Sequence, residues 1–139
     1  MNQLYHKKYI WLSMFIIWTL LIIFLSVMPN FNEVIKQNSY KFRLDYLFHF
    51  FAYFAFGSIY VFWRGNRNYE IKGVELAILI AVTISFSILT EYVQLLIPGR
   101  TFNMVDIIYN ISGVICGIGF TYFYIVRYFL RKRDQTLME

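Results

Sequence analysis

Six polar side chains interrupt apolar stretches of the sequence, and their types suit acid–base chemistry, metal binding or anion binding. Asp45 and His49 are four residues apart, so on a helix they share a face. A carboxylate beside an imidazole can form an oriented base or part of a metal site. A carboxylate inside an apolar run is costly unless it is paired or protonated, so Glu91 indicates a role beyond packing. The remaining three residues are Gln94, Asp106 and Asn110.

Long apolar runs must position these side chains. The chain has 139 residues, of which 59% are hydrophobic and 15% charged, whereas a soluble domain is usually about 45–50% apolar. A helix needs about 20 apolar residues to cross a bilayer, and the chain offers four such runs. We therefore predict an all-α integral membrane protein, a single domain over residues 1–139 formed by a bundle of four transmembrane helices. The predicted helices are Tyr9–Met28, Leu44–Trp63, Leu76–Ile97 and Met104–Ile125.

The basic residues predict the orientation of the bundle. If the N-terminus is inside, nine of the 13 Lys and Arg residues fall in the inner segments and four in the outer ones. The positive-inside rule then places both termini in the cytoplasm, for a multi-pass protein of the cell membrane. Anionic lipids of the inner leaflet can balance much of the net charge of +5, so no nucleic-acid partner is needed.

In this orientation the six polar residues share one layer. At about 1.5 Å per residue, all lie within ~9 Å of the outer ends of their helices. The second and fourth helices begin in this layer, and helix N-termini favour anions. Arg43 and Arg100 would lie at its rim, where guanidinium groups hold phosphate or carboxylate. The pattern predicts an outward-facing polar pocket for an anionic or lipid-linked head group.

Two sets of residues are candidates for function in this pocket. No cofactor is evident from the sequence, but Asp45, His49, Glu91 and Asp106 together could hold a divalent metal ion. The oligomeric state is left open. Candidate catalytic residues are Asp45, His49, Glu91, Arg100 and Asp106, and candidate binding residues are Arg43, Tyr53, Gln94 and Asn110.

Structural roles are alternatives for the same residues. Asp45 and Asp106 can cap helices, and Arg100 can be a structural partner of Glu91 or Asp106. Amides such as Asn110 can also join helices by hydrogen bonds. The charges nearly cancel, so the whole network could serve only to lock the bundle. The spacing of Gly113 and Gly117, G-x-x-x-G, predicts that another helix approaches the fourth one closely.

Three motifs in order resemble the VanZ-like membrane proteins. They are Asp45-x-x-x-His49-Phe50-x-x-Tyr53, Glu91-x-x-Gln94 followed by Pro98-Gly99-Arg100, and Asp106-x-x-x-Asn110-x-x-Gly113-x-x-x-Gly117. The resemblance implies a small bacterial membrane protein of the cell envelope that is linked to teicoplanin resistance. It does not imply a biochemical mechanism.

Two main functions are consistent with these observations. In the first, the protein recognises an anionic or lipid-linked envelope component, such as a cell-wall precursor or a lipid head group, and changes sensitivity to lipoglycopeptides. The alternative is a membrane hydrolase or transferase acting on a lipid-linked phosphate or glycan at the outer leaflet. A proton-coupled exporter fits less well, because transporter sites lie near the midplane between repeated halves.

Overall fold

A computed structural model describes residues 2–27, 44–64, 71–98 and 102–128, and every regular element among them is helical. Helix α1 is Asn2–Val27, α2 is Leu44–Arg64, α3 is Gly73–Gln94 and α4 is Met104–Phe120, which a π-helical segment, Thr121–Val126, extends. Each helix, α4 together with its π-helical extension, contains a segment long and apolar enough to cross a membrane. The predicted all-α, four-span architecture is confirmed, whereas the orientation of the termini stays a prediction.

The third helix lies three residues earlier than the sequence indicated. It begins at Gly73, so its first turn includes Glu75, which the sequence analysis places outside the span and which pairs with Arg64 at 2.7 Å. Beyond Gln94 the helix tightens into a turn in which Leu95 and Leu96 donate to carbonyls three residues back. Helix α1 begins seven residues before Tyr9, the predicted start.

Helices α2 and α4 form the closest pair in the bundle. They run parallel, since Asp45 neighbours Asp106, His49 neighbours Asn110 and the Phe54 carbonyl neighbours Gly117. A Cβ atom at Gly113 or Gly117 would overlap the backbone of α2, and one at Gly57 would lie 2.6 Å from the Val114 carbonyl oxygen. The close approach predicted from the two glycines of α4 is confirmed, and Gly57 contributes to it from α2.

Helix α1 packs against α2 mainly through aromatic side chains. Trp11 stacks on Phe62 with ring centroids 4.5 Å apart, and Phe15 packs against Phe56 at 4.7 Å. Trp18 donates a hydrogen bond from its indole to the Ala52 carbonyl at 2.9 Å. Most other α1 side chains are exposed in the bundle, where the lipid would surround them. α1 therefore lies at the edge of the bundle and leaves a cleft beside α2.

Candidate functional site

Asp45, His49 and Asp106 meet at the N-terminal ends of α2 and α4. His49 Nε2 lies 3.7 Å from Asp45 Oδ1, one turn earlier on the same helix, and 3.8 Å from Asp106 Oδ2 across the helix pair. One ligand atom from each residue lies within 4.8 Å of the other two, as in a site for a metal ion. The parallel pairing of α2 and α4 is what brings these first turns together.

A hydrogen-bonded relay behind His49 joins three helices. The Nδ1 atom of His49 lies 3.0 Å from Asn110 Oδ1, and the Asn110 side chain donates from Nδ2 to Ser87 Oγ at 2.7 Å. Asn110 and Ser87 are 1% and 0% exposed, so water does not compete for these bonds. The relay fixes the plane of the imidazole relative to the two aspartates. Ser87 lies on the same buried face of α3 as Glu91 and Gln94.

Asn103 connects the N-terminus of α4 to two carboxylates. Its side chain accepts from the Val105 amide, which makes it the N-cap of the helix, and donates to Asp106 Oδ1 at 3.0 Å. Its own amide donates to Glu91 Oε2 at 3.0 Å. The capping role considered for Asp106 is therefore wrong, because Asn103 fills it. Asn103 was not among the predicted site residues, although an Asn directly before an apolar run, with an acid in the first turn, is a helix-start signal.

The buried side chains beside this junction lie on α2 and α3. Glu91 is 0% exposed, Gln94 4% and Tyr53 2%. The Tyr53 hydroxyl lies beside Thr90 and Glu91 but makes no hydrogen bond of standard geometry within the described residues. Gln94 Nε2 also lacks a hydrogen-bond partner among them. Thr90, which the sequence reading did not single out, is buried with this group.

A cleft of about 320 Å³ runs along the α1–α2 edge and ends at the polar residues. Trp18, Leu21 and Leu25 of α1 form one wall, and Phe48, Phe51, Ala52 and Ala55 of α2 form much of the other. Asp45, His49 and Gln94 also line it. The sequence predicted a polar pocket, whereas this cleft is mainly apolar with polar groups among its lining. The difference arises because α1 carries no polar stripe that would mark it as a wall.

The structure places the predicted site residues in three groups. His49 contacts Asp45, Asp106 and Asn110, and Glu91 is linked to Asp106 through Asn103. Gln94 and Tyr53 both line the cleft. Arg43 and Arg100 lie outside the described residues, so their proposed contacts with an anion stay predictions. We call the set Asp45, His49, Ser87, Glu91, Gln94, Asn103, Asp106 and Asn110 the polar cluster.

Comparison with known proteins agrees with the motifs. The family model of VanZ/LLP1 proteins matches residues 6–127, which include most of α1, all of α2, α3 and α4, and the whole polar cluster. No curated protein and no solved structure matches the chain. The family is associated with resistance to glycopeptides, and teicoplanin in particular. The resemblance seen in the sequence is thus confirmed, and the chain belongs to the VanZ-like family of multi-pass membrane proteins.

Proposed function

We propose that this protein binds a lipid-linked anionic molecule of the cell envelope at the outer leaflet of the cell membrane, and that this binding underlies protection from teicoplanin-type agents. The main support for this proposal is the cleft between α1 and α2. Its walls are apolar along α1 and α2, and they include Gln94, whose buried Nε2 has no hydrogen-bond partner among the described residues. Such a cleft suits an acyl or prenyl chain whose head group reaches the polar cluster.

The head group is proposed to be anionic for two reasons. The N-termini of α2 and α4 both lie at the polar cluster, and each favours negative charge. Gln94 would donate from Nε2 to an oxygen of the head group, because an amide nitrogen can only donate. The excess of basic residues in the predicted inner segments supports an outward-facing cluster. A lipid-linked cell-wall precursor has this combination of chain and charged head.

Native mass spectrometry of the purified protein in detergent tests this proposal with three small probes. Farnesyl phosphate combines an apolar chain with an anionic head, farnesol has the chain alone, and inorganic phosphate has the head alone. We expect only farnesyl phosphate to bind at one molecule per chain. Equal retention of farnesol would show that the polar cluster contributes nothing to recognition.

A matched pair of variants tests whether the cleft is the place of binding. Ala55 lines the cleft on α2, so Ala55→Phe should fill it and abolish farnesyl phosphate binding. Ala81 lies exposed on α3, so Ala81→Phe adds the same ring where it only meets lipid or detergent. Unchanged binding in Ala55→Phe would place the lipid elsewhere and contradict the proposal.

An enzyme acting on the same kind of molecule is the second candidate. The arrangement of Asp45, His49 and Asp106 favours it, because two carboxylates and an oriented imidazole are groups that assist phosphoryl or glycosyl transfer. Release of inorganic phosphate from farnesyl diphosphate by the wild type, and not by His49→Ala, would support this function over binding alone.

A further inference from the structure

The hydrogen bonds of Asn110 determine the tautomer of His49, and therefore whether the nitrogen that faces the aspartates carries a lone pair. The Asn110 amide nitrogen donates to Ser87 Oγ, so its Oδ1 faces His49 Nδ1 at 3.0 Å. An oxygen can only accept, and therefore Nδ1 carries the proton. In the neutral ring Nε2 is then unprotonated and faces Asp45 and Asp106.

Three electron-pair donors consequently converge on one point. Nε2 lies 3.7 and 3.8 Å from the two carboxylate oxygens, which is too long for hydrogen bonds. Metal bonds of about 2.0–2.2 Å to each atom place the ligands of one ion about 3–4 Å apart. The observed separations therefore fit a shared cation between the three side chains.

We infer that Asp45, His49 and Asp106 form a binding site for a divalent transition-metal ion, for which Zn²⁺ is the best match. Imidazole favours transition metals, and three protein ligands with an open position are typical of Zn²⁺ sites that bind or activate a further group. Asn110 holds the imidazole through Nδ1, and Asn103 holds Asp106 through Oδ1. Such supporting hydrogen bonds orient metal ligands.

Gln94 supplies an independent sign that the site takes a ligand. Its side chain is buried, Nε2 has no hydrogen-bond partner within the described residues, and it lines the same cleft as Asp45 and His49. An anionic oxygen on the open position of the metal would accept from this amide. This part of the inference rests on the proposed function, because it makes the ion the bridge between the aspartates and a phosphate head group. The metal site itself does not depend on the lipid.

Zn²⁺ binding without lipid tests the site directly. The purified protein, stripped with chelator, is titrated with Zn²⁺ by calorimetry, and bound zinc is measured by mass spectrometry after desalting. We expect about one Zn²⁺ per chain in the wild type, and ~10-fold or greater loss of affinity in His49→Ala and Asp106→Asn, as for removal of a ligand or its support. His6→Ala, which removes the other histidine of the sequence, and Glu75→Gln, which removes a carboxylate that pairs with Arg64, are the matched controls, and both should bind Zn²⁺ normally.

A measurement on the wild type covers the case in which the variants do not fold. The protein is loaded with Cu²⁺, and electron spin echo spectroscopy is used to detect imidazole nitrogen bound to the ion. We expect one histidine, retained in His6→Ala. Absence of stoichiometric Zn²⁺ in the wild type, or of bound imidazole, would overturn the site and leave the three side chains as part of a structural network.

Farnesyl phosphate binding, measured with and without chelator, distinguishes the inferred metal site from the proposed lipid-binding function. If Zn²⁺ bridges the phosphate, farnesyl phosphate binding should fall ~10-fold or more after stripping and recover with Zn²⁺. Full binding in chelator would overturn the bridging role while the proposed function stood. Stoichiometric Zn²⁺ without farnesyl phosphate binding under any condition would support the metal site and contradict the proposed function.

Discussion

At the scale of single residues, two asparagines hold the polar cluster in place. Asn103 caps α4 and contacts both Glu91 and Asp106, while Asn110 links His49 to Ser87. Amides suit this role because each offers donors and an acceptor in one rigid group. The charged groups can then be positioned by neutral neighbours. We expect the asparagines to matter for geometry and the aspartates and His49 for binding.

Removing the cap should destabilise the protein measurably. Asn103→Ala removes the side-chain acceptor for Val105 and the donor to Asp106, and the loss of an N-cap costs about 0.5–2 kcal/mol. Asn103→Ser keeps an acceptor for the cap and should recover a large part of that loss. The free energy of unfolding, measured by SDS titration in mixed micelles, checks the order of the three proteins. Equal stability of Asn103→Ala and the wild type would contradict the capping role.

The ion pair at the opposite end should contribute little. Arg64 and Glu75 are 2.7 Å apart, but their side chains are 35% and 31% exposed. Half-exposed pairs usually contribute less than about 1 kcal/mol. Glu75→Gln should therefore change the free energy of unfolding by less than about 1 kcal/mol in the same titration. A larger loss would mean that this pair fixes the start of α3.

At the scale of helices, the parallel α2–α4 pair determines the site. Gly113 and Gly117 let the α2 backbone approach, and the same approach brings Asp45 next to Asp106 and His49 next to Asn110. Small residues serve this purpose in membranes because lipid provides no hydrophobic force between helices, so close packing must hold them together.

Gly117 and Gly119 provide a matched test of this pairing. A Cβ atom at Gly117 would overlap the Phe54 backbone, whereas one at Gly119 meets no atom of the described residues within 4 Å. Gly117→Ala should therefore destabilise the protein by about 1–3 kcal/mol through overpacking, and Gly119→Ala should be neutral or stabilising. The free energy of unfolding, measured by SDS titration, distinguishes the two variants. Equal effects of the two substitutions would contradict the close α2–α4 contact.

The helices show which parts of this arrangement the sequence could predict. The four spans follow from the length of the apolar runs, and the polar residues meet because helical spacing puts each pair on one face. The early start of α3 does not follow from the apolar run, because a charged residue such as Glu75 ends the run without ending the helix. The cleft was missed because α1 is apolar all round, so its sequence does not indicate which face turns toward α2.

At the scale of the whole molecule, the polar cluster lies toward one end of the bundle and the Arg64–Glu75 pair toward the other. The proposed function requires the polar end to face outward, as the basic residues of the sequence predict. Binding of an envelope molecule would be impossible from the cytoplasmic side if that molecule were confined to the outer leaflet.

Cysteine labelling in intact cells tests the orientation. Leu96 is 82% exposed at the polar end, and Val74 is 71% exposed at the other. In a Cys116→Ala background, Leu96→Cys should react with a membrane-impermeant maleimide from outside, and Val74→Cys only after permeabilisation. The reverse pattern would place the polar cluster at the cytoplasmic face.

Teicoplanin susceptibility of cells that produce His49→Ala tests the central claim most directly, with Glu75→Gln as the control and the amount of each protein in the membrane measured alongside. His49 contacts Asp45, Asp106 and Asn110 and also lines the cleft, so its loss should affect any function of the polar cluster. We predict that His49→Ala accumulates like the wild type but gives no protection, whereas Glu75→Gln protects fully. Full protection by His49→Ala at wild-type levels would contradict a functional polar cluster and leave it as a structural network.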